Sequence, residues 1–177
     1  MTISGLREAG PLVLVATGGP SEVAERLART AAAVAAALSL PLLPDLAPLQ
    51  VPDLALEALV GGPSPVGLAC LGVDPGMALA DGLPWAQTLG AWRQPTLLLV
   101  EAHQLAAGTA AATTALLRQH GVPLMGLIQW SGHWQAELRR RDGLPWLGGL
   151  GLAAGDACGG HDLRLGLALA VQGAATG

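Results

Sequence analysis

Short apolar runs alternate with stretches of helical period along this chain, and that alternation predicts a parallel sheet with crossover helices. PLVLVAT at 11–17 reads as a buried strand. A helix over Ser21–Leu38 follows, with Val23, Leu27, Val34 and Leu38 on one face, which completes a first βα unit. Residues 41–65 hold six prolines and little periodicity, so they read as a surface connection with one short helix around Leu54–Val60. VGLACLG at 66–72 is a further strand, and PWAQTLGAWR at 84–93 a short helix with Pro84 in a favoured first-turn position. TLLLVEA at 96–102 is the clearest strand. A small-residue helix over Ala107–His120 ends at Gly121, a good residue just past a C-terminus, and LMGLIQW at 124–130 is the next strand. A short helical piece near Gln135–Arg141, a last strand LPWLGGL at 144–150 and an apolar helix DLRLGLALAVQ at 162–172 close the pattern.

Composition narrows the chemistry. The 177 residues suit a single domain with a sizeable core, and with 51% apolar residues but no Phe or Tyr that core must be aliphatic, filled out by five Trp. All nine basic residues are Arg; Lys and Asn are absent. A net charge of −4 and one basic cluster, Arg139, Arg140 and Arg141, argue against nucleic acid. The cluster reads as a solvated helix end, where cations suit the dipole. No segment is long and apolar enough to predict a membrane span. MTISGLREAG lacks the charged and apolar regions of a signal peptide, and two cysteines make no disulfide framework, so a cytoplasmic location is expected.

The stretch VLVATGGPSEVAERLART at 13–30 is a strand, a Gly-Gly turn and a helix, the arrangement that cradles a phosphate in nucleotide-binding α/β proteins. Such loops normally carry a lysine, and this one has Glu25. With Ser21 as the N-cap, a well-capped structural helix and a residual anion site at Gly18, Gly19 and Ser21 are both open readings. Cys158-Gly-Gly-His161 has a spacing seen in metal sites, but a zinc shell needs three or four ligands and only the scattered Cys70, His103, His120 and His133 remain. A glycine-rich surface loop is the expectation there. His103 follows Glu101 at the end of a strand, where ligands of open α/β sheets bind. Trp130 and Trp134, around Ser131-Gly-His133, suit an aromatic lid over a small molecule or plain packing.

The run DGLPWAQTLGAWRQPTLLLVEAHQLAAGTAAATTALLRQHGVPLMGLIQW, with LPWLGGL after it, resembles the second half of dethiobiotin synthase. That family is an ATP-dependent, P-loop-type ligase of the biotin pathway, and related P-loop ATPases such as cobyrinate amidases share this half of the pattern. The match spans about residues 81–150, in order and with natural spacing. It implies a three-layer α/β fold, a mostly parallel sheet flanked by helices, P-loop NTPase-like and of the SIMIBI type, over 1–177.

Laid on the family's phosphate loop, GTDTxVGKT, Gly18 and Val23 match. Glu25 stands at the catalytic lysine and Arg26 at the magnesium-binding Thr. Arg26 lies about 100° round the helix from the lysine position, so its fork is expected to aim elsewhere. Glu22 and Glu25 already occupy the field of the helix N-terminus. The family's second, substrate-holding lysine has no counterpart in a lysine-free chain. Its EGxGG step falls at GVDPG, with Asp74 either replacing the glutamate or making a tight turn. Its adenine-reading Asn falls at Trp130, beside Gln129, and indole cannot offer the paired donor and acceptor of an amide. Gly108 and Thr109 open the helix that in the family presents N–H groups to a substrate carboxylate across a dimer interface.

The resemblance therefore implies a dethiobiotin-synthase-like homodimer with a degenerate phosphate loop and no ligase activity, acting as a binding or dimer-forming module with a small carboxylate as possible ligand. No cofactor is expected on that reading. An active synthase would need ATP and Mg, and a purely structural protein is the third possibility.

Overall fold

The computed structural model describes residues 10–46, 51–64, 66–80, 82–151 and 160–175. Five strands, β1 (Leu12–Ala16), β2 (Leu68–Cys70), β3 (Thr96–Glu101), β4 (Leu124–Trp130) and β5 (Trp146–Leu150), form one all-parallel sheet in the order β2-β1-β3-β4-β5. Every residue of β1 and the first five of β3 are buried. Continuous apolar runs of this kind belong to strands covered on both faces.

Alternate side chains feed two cores. Leu12, Leu14 and Ala16 of β1 meet α1 (Pro20–Leu38) and α6 (Gly160–Ala175), whereas Val13 and Val15 meet α2 (Pro52–Val60), α3 (Trp85–Ala91) and α4 (Thr109–Gln119). The result is a three-layer α/β arrangement. On α1, Val23, Leu27, Val34 and Leu38 are all buried, as their spacing predicts. Burying each such side chain contributes roughly 1.5–3 kcal/mol. Trp85 is the largest fully buried residue, and Leu fills most of the remaining space. A short α5 (Ala136–Arg141) buries none of its residues. No helix among the described residues is long and apolar enough to cross a membrane.

Three sequence expectations change. Residues 41–46 are not simply a surface connection: Leu42 bridges Leu68 and Leu46 bridges Leu71 in parallel, adding a short row outside β2. Leu43 N–H donates to the Leu68 carbonyl and Leu46 N–H to that of Cys70. Pro41 and Pro44 mask the segment in sequence, and Pro is tolerated there because only an edge row leaves its missing donor unneeded. The first helix begins at Pro20, so Gly19 rather than Ser21 is its N-cap. Pro84 precedes its helix as N-cap instead of entering the first turn.

The order also locates a switch point. The crossover from β1 runs by α1 over one face toward the β2 side, while that from β3 runs by α4 over the opposite face toward β4. Connections that diverge in this way mark the carboxyl ends of β1 and β3 as the position where open α/β sheets bind ligands.

Candidate functional site

At that edge the chain leaves β1 through Thr17, Gly18 and Gly19. Gly18 has φ +137°, a conformation that strains any residue with a Cβ, and a Cβ there would also lie 2.8 Å from Glu22 Oε2. Its N–H donates to Asp74 Oδ2 at 2.9 Å. The Gly19 N–H donates to Glu22 Oε2 at 2.9 Å, a carboxylate reaching back from the third helical position to the N-cap. Both amides of the turn are thus held by carboxylates of the chain itself. Asp74 also turns its own segment, accepting from Gly76 N–H through Oδ1 at 2.8 Å. The tight-turn reading and a tie to the β1 loop therefore coexist in one side chain. Ser21 is exposed at the second helical position.

The next turn of α1 reverses the expected roles. Glu25 is exposed, and Arg26 is the residue that turns inward. Its side chain is only 5% exposed, with Nη1 donating to the Thr17 carbonyl at 2.5 Å and Nε 3.2 Å from Glu101 Oε2. The Nε contact is close enough for an ion pair but is not aligned as a hydrogen bond. The fork expected to aim elsewhere than a lysine at position 25 is directed at the backbone of the loop and at the end of β3. Gln104, also buried, donates to Thr17 O at 2.9 Å and Oγ1 at 3.1 Å. Arg29 Nη2 at 3.5 Å and His103 Nδ1 at 3.3 Å close round Glu101 from solvent. His103 is thus a partner of Glu101, 69% exposed.

Neither a family model nor a curated protein sequence matches the chain.

Held against the group that the resemblance implies, the residues present do not fit a magnesium-bound triphosphate. The amides that would receive it carry carboxylates, no lysine exists, and the guanidinium at the metal-ligand position is tied to Thr17 and Glu101. Among the described residues no cluster of three or more His, Cys, Asp or Glu is placed to hold a metal ion. Cys158 lies outside the described residues, as does the side chain of His161.

The remaining candidates divide. Gln129 is fully buried, and its Nε2 donates to the carbonyls of Ser131 and His133, both at 3.0 Å, folding the loop after β4 back on itself. Ser131 takes φ +64° in that turn. Trp130 packs on the α1–α6 core, with its ring beside Gly151. Trp134 does not pair with it to form a lid: its ring meets Trp146 edge-on at 6.1 Å and 80°. Arg139 stacks over Trp146 at 5.1 Å and pairs with Asp142 at 3.1 Å. It is 14% exposed, so of the three arginines this one is not solvated. Arg140, 70% exposed, pairs with Glu137. Gly108, at φ +71°, caps α4, and Thr109 is half-buried at its start.

Sequence reasoning missed Thr17, Arg29 and Gln104, and treated Glu101 only as a neighbour of His103. Strand-end position was the available signal for Thr17 and Glu101, since each follows an apolar run at the carboxyl edge.

Cys70, in the core of β2, is set apart chemically. Burial first, then the charge of Asp45 and a hydrogen bond to it, push its thiol from 9.0 up to about 12. The raised folded value means that this group supports the fold fully below the unfolded value near 9.0, and that the support is lost as pH rises toward 12. In a Cys158→Ser chain at about pH 8, labelling of Cys70 by a disulfide reagent should be at least about 100-fold slower natively than in denaturant. Equal rates would place the thiol outside the core.

Proposed function

We propose that this chain is a dethiobiotin-synthase-like protein of P-loop-type fold without ATP-dependent ligase activity, acting as a binding module. One observation carries the reading: the two backbone donors of the loop, Gly18 N–H and Gly19 N–H, are bound by Asp74 and Glu22. Both contacts are exposed, so each is worth less than the about 1.5–3 kcal/mol typical of a hydrogen bond to a charged group, but an incoming phosphate must displace both and then face the displaced carboxylates. Arg26 offers no compensation, because releasing it toward solvent would leave Glu101 without its inner partner and the Thr17 carbonyl with Gln104 alone. The parallel three-layer fold with its switch point at this edge supports the fold half of the reading.

Calorimetric titration with Mg-ATP should give no saturable binding up to about 5 mM. Diaminopelargonate incubated with ATP and bicarbonate should give no product. A submillimolar dissociation constant for ATP, or turnover, would favour the active-synthase alternative and overturn the proposal.

A further inference from the structure

A groove of about 380 Å³ opens between the edge segment 41–46 and α2, at the far side of β2 from the β1 and β3 switch point. Leu43, Leu46, Ala55 and Leu59 wall it. Its size falls within the range of small-molecule sites, roughly 300–1,000 Å³. Ser64 adds a hydroxyl, which donates as well as accepts. Asp45, exposed, is the formal charge among the described lining residues, which include no Arg or His. Gly62 also lines it, and the backbone atoms nearest to a Cβ placed on Gly62 are the carbonyl oxygens of Ala58 and Leu59, at 3.2 and 3.3 Å. Those carbonyls belong to the last turn of α2, which carries no basic side chain to offset the negative end of the helix.

A ligand complementary to leucine walls and one carboxylate, the formal charge among the described lining residues, has an apolar body and a positive head. We propose that this groove binds a small aliphatic ammonium ion, with its alkyl chain against Leu43, Leu46 and Leu59 and its head at Asp45. A neutral or anionic apolar ligand would forgo the Asp45 attraction or oppose it. The site shares no residue with the Gly18 loop, so it stands or falls apart from the proposed loss of ATP binding.

The test is calorimetry of the full chain with hexylammonium chloride and, as a matched neutral probe, hexan-1-ol. The amine should bind in the millimolar range or tighter, and the alcohol at least about tenfold more weakly. Asp45→Asn should bring the amine down to the level of the alcohol. Ala58→Leu, which puts side-chain volume into the groove, should remove saturable binding of both probes. The proposal is overturned if the alcohol binds as well as the amine or if Asp45→Asn leaves amine affinity unchanged. Absence of saturable amine binding up to about 10 mM would overturn it equally.

Discussion

Gly90→Ala should destabilise the protein by about 3 kcal/mol or more, seen as a fall in the urea midpoint without a change in slope. Helix propensity alone predicts the opposite sign, because alanine is favoured over glycine inside a helix by about 0.8–1.0 kcal/mol. The difference lies in one close approach. Gly90 is buried in α3, and a Cβ there would stand 1.8 Å from the carbonyl oxygen of His120 and 2.8 Å from its carbon. Both are backbone atoms, so no rotamer change relieves the overlap. His120 is moreover the C-cap of α4, held by its own N–H to Leu116 O at 3.2 Å, and Val122 N–H closes the same turn on Leu117 O at 3.0 Å. Relief requires the start of β4 or the whole of α3 to shift. A Gly90→Ala protein more stable than its parent would show that the two helices do not approach as described.

The second large effect is electrostatic and unequal between two partners. Glu101→Gln keeps the shape of the side chain but leaves the Arg26 guanidinium 5% exposed with its counter-charge gone. Thr17 O and the neutral amide oxygen of the new Gln are then its acceptors, neither of them charged. Breaking a buried pair from one side costs about 3–5 kcal/mol, and the residual exposure of Glu101 places this case at about 3 kcal/mol. Arg26→Met should cost less, because Glu101 would still face Arg29 and His103 from the solvent side, and because a thioether chain fills the inward path with apolar volume. The two variants are compared by chemical unfolding at neutral pH. If Arg26→Met proved the more damaging, the balance of the site would lie with the arginine's ties to Thr17 and not with the Glu101 pair. The same geometry bears on charge changes in this turn: Glu25→Lys with Arg26→Thr would add a lysine on the solvent face and strip Glu101 of its inner partner.

Local pattern carried much of the fold. β4 lies at Leu124–Trp130, where the apolar run puts it, and the small-residue helix runs Thr109–Gln119 between Gly108 and the Gly121 stop. The four apolar residues chosen for the inner face of α1 are buried. Periodicity and terminal glycines act over a few residues, so the sequence by itself determined where the elements fall, that the sheet is parallel, and that the loop after β1 has no lysine to offer a phosphate. Tertiary structure alone decided the rest. It paired 41–46 with β2 despite two prolines, chose Trp146 over Trp130 as the partner of Trp134, and turned Arg26 inward onto Glu101 while leaving Glu25 in solvent. It also joined Asp74 to Gly18, 56 residues apart in the chain. Each of these depends on groups distant in sequence that meet only when the sheet assembles, and a buried charge or amide takes whichever partner that assembly brings within reach.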